Sequence, residues 1–303
     1  MSGGARMLVL GASGMLGHKL AQIAVAEGFE VIGTIRGGDA GRLRPVIPAE
    51  AKILTGVGLD APGSFRGALT AARPDLVVNC IGAVKQLATG RDPVEAIRIN
   101  SLFPHQLAAL CSECEARLIQ ISTDCVFSGE RGGYREEDAP DASDVYGRSK
   151  LLGEVTEPPA LTLRTSFIGR ELAGSSGLVE WLISERGGTV RGFGHAIFSG
   201  LSSIELARAI CAAGAEQRLT GLYHLGADPI DKHSLLVALR DALGLDVEID
   251  RDESVRIDRS LDSSRLRAEI DWLPPGWPEM IAVLAGDPTP YPSLGARAQS
   301  ETS

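Results

Sequence analysis

Residues 8–20 read LVLGASGMLGHKL, and three glycines, Gly11, Gly14 and Gly17, stand between two apolar segments of different period. Met7–Leu10 is a short continuous apolar run of the kind a buried strand shows, and too short for the apolar part of a signal peptide. Residues 15–28 repeat apolar positions at helical spacing and stop at Gly28. A strand that passes into a helix through glycines spaced GxxGxxG makes a tight turn. It lets another backbone come close and leaves the N–H groups of the helix start, around Ser13, Met15 and Leu16, aimed at an anion such as a pyrophosphate. A glycine turn can also serve only to reverse the chain, so its setting decides the reading.

That setting is an alternation of strands and helices. Strand patterns at 30–36, 51–56, 75–82, 117–123 and 160–166 are separated by helical patterns at 63–74, at 92–116 with Pro104 as a bend or break, and from residue 144. Strands rich in Leu, Val and Ile that alternate with helices imply a parallel sheet covered on both faces with right-handed crossovers. The expected class is therefore α/β: a Rossmann-type doubly wound sheet with a smaller C-terminal α/β lobe. Beyond residue 170 the alternation loosens to helices at 177–188, 202–215 and 231–244 and a strand at 221–226. The expected division gives residues 1–170, joined by 200–225, to NAD(P) binding and 171–199 with 226–290 to the substrate. From Pro274 onward six prolines suggest irregular chain, and 291–303 a flexible tail.

Composition narrows the function classes. The net charge of −9 argues against non-specific nucleic-acid binding, which needs a basic footprint. No apolar stretch approaches a membrane span, and a cytoplasmic protein is expected. Five cysteines are an odd number for disulfides. Cys111 and Cys114 form a CxxC without a second pair or a histidine cluster, so free thiols and no metal are expected.

The end of the second strand reads the adenosine ribose in dinucleotide folds. There, an acid favours NAD and an arginine can pair with a 2′-phosphate. Here the strand ends GTIRGG, with Thr34 and Arg36 and no acid before Asp39, which favours NADPH and leaves NADH open. Asp60, after the third strand, could accept from the adenine amino group or cap the helix that follows.

The segment DVYGRSKLLGE at 144–154 puts Tyr146 and Lys150 on one face of a helix, one turn apart. Such a pair can be a solvated surface feature, or a phenol whose proton has been made easier to release.

Taken together, the glycine loop, NCIG at 79–82, ISTDCVFSG at 121–129 and YGRSK at 146–150 resemble the extended short-chain dehydrogenase/reductases, and within them the dTDP-4-dehydrorhamnose reductase family. Tyr134 with Glu136, LRTSFIG at 163–169 and SLDSSRL at 260–266 resemble that family too. The resemblance implies an NADPH-dependent reduction of a nucleotide-linked 4-keto-6-deoxysugar, with a homodimer as a common assembly. It implies that Tyr146 gives the proton, that Lys150 tunes the phenol toward neutrality and holds the nicotinamide ribose, and that Thr123 orients the carbonyl. It places Cys80, Ile81 and Gly82 along the cofactor, and Asn100 as a structural or relay residue. Lys85, Asp124, Val126, Phe127, Ser166, His195 and Ser199 are the implied substrate contacts, with His195 in a loop.

The segment after the fourth strand, IGAVKQLATGRDP, departs from the family's pattern: Lys85 and Gln86 stand where an aromatic and acids are usual, which leaves the dTDP-rhamnose substrate open. An epimerase that retains NAD shares the same three groups. A dehydratase is disfavoured because Cys125, not a glutamate, follows Asp124. A non-catalytic binding protein of this fold has no need of all three residues.

Overall fold

The computed structural model describes residues 4–85 and 88–291. Gln86 and the expected tail from residue 292 lie outside the described residues. In chain order the elements begin with β1 (Arg6–Leu10), α1 (Met15–Ala26), β2 (Glu30–Thr34), β3 (Lys52–Leu54), α2 (Ser64–Ala72) and β4 (Leu76–Asn79). There follow α3 (Ala88–Arg91), α4 (Pro93–Ala96), a π-helical turn (Ile97–Leu102), α5 (Phe103–Glu113), β5 (Arg117–Thr123), α6 (Val145–Leu152), β6 (Leu161–Thr165) and β7 (Phe167–Ile168). The chain continues through α7 (Leu178–Ser184), β8 (Thr189–Phe198), β9 (Leu201–Ser202), α8 (Ser203–Ala215), β10 (Gly221–His224), β11 (Ile230–Asp231) and α9 (Lys232–Leu243). It closes with β12 (Glu248–Asp258), α10 (Ser264–Arg267) and α11 (Trp277–Ala285).

Seven strands form one parallel sheet in the order β10-β6-β5-β4-β1-β2-β3. Successive residues of β1 serve opposite faces. Met7 and Val9 join a core with Leu16 and Leu20 of α1 and Ile210 of α8, while Leu8 and Leu10 join one with Leu69 of α2 and Leu107 of α5. Both faces are dry, so the strand needs no polar alternation. From β1 the chain winds one way through β2 and β3 and the other way through β4, β5 and β6, so the strand order switches between β1 and β4. In sheets of this order the ligand crevice lies outside the carboxyl ends of the strands, here at the switch between β1 and β4.

The expected helix over 92–116 is continuous, and Pro104 does not break it. The turn before it widens to a π-turn, which accommodates a residue that cannot donate to the carbonyl four residues back. That carbonyl, of Asn100, lies against Gly153: a Cβ there would sit 1.8 Å from it.

Two strands escape a sequence reading. β8 and β12 pair in parallel, and β11 pairs antiparallel to β8, giving a three-stranded sheet apart from the large one. β8 contains Gly192 and Gly194, which read as loop. A Cβ on Gly192 would come within 2.8 Å of the His233 backbone, so the glycine lets α9 pack onto the sheet. β12, EIDRDESVRID, is a charged strand at the sheet's edge, with no apolar run to mark it. The expectation of irregular chain after Pro274 is corrected as well. α11 forms there with Pro278 in its first turn, where the missing N–H costs nothing, and Met280, Ile281 and Leu284 are buried. Tyr291, expected to open a flexible tail, is hydrogen-bonded to Asp287 and His18.

Candidate active site

The crevice begins with the glycine loop. Gly11 has a φ of +80°, and a Cβ on Gly17 would lie 2.1 Å from the Gly11 carbonyl oxygen. α1 starts at Gly14 with no side-chain cap and no acid in its first turn. Its first N–H groups are therefore left uncapped at the positive end of the helix dipole, with no acid in the turn itself. These residues fit a dinucleotide pyrophosphate: the cradle is one that any side chain would fill. Gly33, not singled out from the sequence, has the same office, since a Cβ there would come within 2.8 Å of that of Ala12.

Beyond β2, Arg36 is exposed and its stem runs past Gly58, which a Cβ would bring to 3.1 Å from Arg36 Cγ. Asp60 is ion-paired with Arg98, whose guanidinium holds the carboxyl below its ordinary range. Asp60 does not cap α2, whose N-cap is Gly63.

Past β4, burial pushes the Cys80 thiol up to about 12, which makes it inert. The Ile81 amide donates to Asn79 Oδ1 at 3.1 Å. Asn100 is buried and staples this segment to α6. Its Oδ1 accepts from the Ala83 amide (2.9 Å), and its Nδ2 donates to the Ala83 carbonyl (3.1 Å) and to Ser149 Oγ (3.2 Å). Gly82 lies beside it, with an ordinary 3.6 Å between Asn100 Oδ1 and a Cβ at that position.

Thr123 ends β5, and Tyr146 and Lys150 stand on the first two turns of α6. Two features of the segment bring the hydroxyls together. Asp144 caps α6 by accepting from the Gly147 amide at 2.8 Å, and a Cβ on Gly147 would lie 2.2 Å from the Cys125 carbonyl, so only glycine lets the helix press against the turn after β5. Lys85 donates to Asp144 at 2.8 Å and thereby ties the segment after β4 to the same cap. Thr123 Oγ1 donates to Asp124 Oδ1 (3.2 Å) and accepts from the Cys125 amide (3.1 Å).

Burial, reinforced by Cys125 and Asp124, raises the Tyr146 phenol, although its hydrogen-bond contact with Thr123 works the other way. Lys150 Nζ donates to the Ile121 carbonyl at 2.6 Å, and burial brings the amine itself down to about 8. The protein's own groups therefore hold the proton on Tyr146. Behind the site Glu154 accepts from Ser122 at 2.7 Å and is paired with the buried Arg164 at 2.8 Å.

The remaining implied substrate residues divide. Asp124 is buried next to Thr123, and burial raises its carboxyl against the opposing charges of Arg259 and Lys232. Val126 and Phe127 are fully buried, with Phe127 stacked on Tyr134 at 4.1 Å and under Arg164, so they belong to a small core and not to the crevice wall. Ser199 is buried, and its Oγ accepts from the Leu261 amide at 2.9 Å. The Ser166 carbonyl accepts from Leu201 at 2.9 Å. His195 is on β8, not in a loop, and pairs with Glu253 at 2.5 Å; the contacts that join Thr123, Asp124 and Tyr146 do not include it.

Sequence reasoning missed Lys232 and Arg259. Lys232 Nζ stands 3.9 Å from the Phe198 ring centre, its amine brought down to about 8 by burial and opposed by the Asp124 charge. Arg259 Nε donates to the Phe127 carbonyl at 2.8 Å. A lysine at the first position of a helix opposes the helix dipole, and that misfit was the available signal. Among the described residues all five cysteines are free thiols, no cluster of three acids, histidines or cysteines could hold a metal, and no helix is long and apolar enough to cross a membrane.

Comparison with known proteins bears on this arrangement. Residues 5–177 match the family model described as the RmlD substrate binding domain. A protein named as a probable low-salt glycan biosynthesis reductase, Agl14, of Haloferax volcanii is 40% identical over 36% of this chain and 39% of its own length. The dTDP-4-dehydrorhamnose reductase of Mycolicibacterium smegmatis is 30% identical over 56% of this chain and 48% of its own. The chain thus spans less than half the length of these curated relatives. Among solved structures, a hypothetical dTDP-4-dehydrorhamnose reductase from Sulfolobus tokodaii is 26% identical, covers 90% of this chain and 98% of its own, and superposes with a TM-score of 0.72.

Proposed function

Since the chain belongs to the family described as the RmlD substrate binding domain, we propose that it is an NADPH-dependent reductase of a nucleotide-linked 4-keto-6-deoxysugar. The observation that carries this reading is the hydrogen-bond contact of Tyr146 with Thr123 at the carboxyl end of β5, with Lys150 buried one turn further along α6. The relatives named as dTDP-4-dehydrorhamnose reductases support the substrate class, and exposed Arg36 past β2 supports the 2′-phosphate.

When bound, NADPH supplies the hydride. Reduction then needs one proton on the ketone oxygen, and Tyr146 Oη gives it. Burial keeps the phenol protonated at neutral pH, and beside the positive nicotinamide left by hydride transfer its pKa would come back down so that the proton is released. Thr123, with one lone pair engaged by the Cys125 amide, fixes the position of the carbonyl oxygen against Tyr146. Lys150, with an amine near 8, returns a proton to the phenolate from solvent and holds the ribose hydroxyls. Asp124 with Lys232 and Arg259 lines the side that receives the sugar. The proposal divides the chain into a cofactor part, 1–170 with 200–225, and a nucleotide-sugar part, 171–199 with 226–290.

The test is NADPH oxidation, followed by absorbance, with dTDP-, UDP- and GDP-linked 4-keto-6-deoxysugars and with Tyr146→Phe alongside the unmodified protein. Turnover on one of them that slows sharply in the variant is expected. Tight NADPH binding with no turnover on any would refute the reductase reading.

A further inference from the structure

One face of α1 carries His18, Lys19 and Gln22, and their side chains meet residues 287–291. Lys19 and His18 are fully buried. Lys19 Nζ is ion-paired with Asp287 and donates to Thr289 Oγ1 at 2.7 Å, and Gln22 Nε2 donates to the same hydroxyl at 3.0 Å. His18 Nδ1 lies 2.8 Å from the Gly14 carbonyl oxygen. A carbonyl only accepts, so Nδ1 carries the proton, and Nε2 lies 3.0 Å from the Tyr291 hydroxyl, whose one proton is directed at Asp287. The same hydroxyl lies 2.7 Å from Asp287 Oδ2, and Arg170 lies over the Tyr291 ring at 4.5 Å.

This chain of contacts runs from the C-terminal segment into the cradle. Gly14 is the residue at which α1 begins, and the N–H groups of the next turn are the ones left uncapped. A buried ammonium or imidazole left without partners is strongly destabilising, so α1 keeps this face buried only while Asp287 and Tyr291 are in place. We propose that Gly286–Tyr291 is a strap that positions the cofactor helix: Tyr291 orients His18, His18 fixes the Gly14 carbonyl, and Asp287 holds Lys19, so the segment sets the affinity for the dinucleotide. His18 and Tyr291 are positioning residues in this account, which rests on reading the glycine loop as the dinucleotide cradle.

The test uses the full chain and NADPH as the probe. Tyr291→Phe keeps the ring beneath Arg170 and removes both hydroxyl contacts; Asp287→Asn keeps the shape and removes the charge facing Lys19. Each variant is measured for its Kd for NADPH by cofactor fluorescence, its KM for the nucleotide sugar and its melting temperature. The expected result is an NADPH Kd raised roughly tenfold, the loss of one or two hydrogen bonds, with the sugar KM within about twofold of the unmodified protein. A purely structural strap would lower the melting temperature and leave the Kd of the folded protein unchanged, which overturns the proposal. Should Tyr291→Phe fail to fold, the same comparison on Asp287→Asn decides. If the unmodified protein does not bind NADPH, the cradle reading fails first and the strap proposal with it; if it binds and both variants bind equally well, only the strap proposal fails.

Discussion

At the scale of single residues, the site is built from groups whose protons are held in place. Tyr146 donates from a phenol that burial keeps protonated, and its loss removes the general acid without disturbing the fold. Tyr146→Phe is expected to lower kcat roughly 10²–10⁴-fold, the usual contribution of a positioned acid, with an unchanged melting temperature and NADPH affinity. A drop in melting temperature that matches the loss of activity would contradict that assignment. Gly17 bears on the cofactor instead: Gly17→Ala puts a methyl 2.1 Å from the Gly11 carbonyl and is expected to abolish NADPH binding, measured by fluorescence titration. Retained affinity would show that the dinucleotide lies elsewhere. Thr123, Tyr146, Lys150 and the three glycines were all legible because each sits in a local motif of fixed spacing. Lys232 and Arg259 were not, because they reach Asp124 from segments more than 100 residues away and carry no local pattern.

At the scale of elements, close approach is what aligns the site. α6 can carry Tyr146 up to Thr123 because Gly147 lets it rest on the Cys125 carbonyl and Gly153 lets it rest on Asn100. Gly147→Ala is therefore expected to displace the first turn of α6 and cost most of kcat with little effect on the Kd for NADPH; unchanged kcat would show that the contact is not needed. The same physics explains which elements the sequence concealed. The strands of the large sheet are apolar runs buried on both faces, and β1, β4 and β5 announce themselves. β8 and β12 lie in a small sheet open on one face, and there the packing is done by glycines and the length by charged residues. α11 was hidden by prolines that mark loops in general and helix starts in particular. Val126 and Phe127, implied as substrate contacts by the resemblance, are instead turned inward into the small core around Tyr134.

At the scale of the whole molecule, two buried histidines tie stability to pH. His18 and His224 are both buried, and burial lowers each from 6.5 to about 4. Above 6.5 both are neutral in folded and unfolded chain alike, and neither makes stability depend on pH. Between 6.5 and about 4 the unfolded chain takes up protons that the folded one refuses, so stability falls as pH falls and levels off below 4. At about 1.4 kcal/mol per pH unit each costs on the order of 3 kcal/mol across that window. Denaturant titrations from pH 7 to pH 4 are expected to show this loss, and to show about half of it remaining in His18→Gln if that variant folds. A flat profile would place both imidazoles in contact with water.

The measurement that bears most directly on the whole account is single-turnover NADPH oxidation by the purified chain, offered dTDP-4-keto-6-deoxysugar and its UDP and GDP counterparts, with and without Tyr146. The account expects stoichiometric oxidation with one of the three, a hydroxyl formed at C4 of the sugar, and oxidation slowed roughly 10²–10⁴-fold in Tyr146→Phe. A chain that binds NADPH and a nucleotide sugar together yet leaves the cofactor reduced would contradict it.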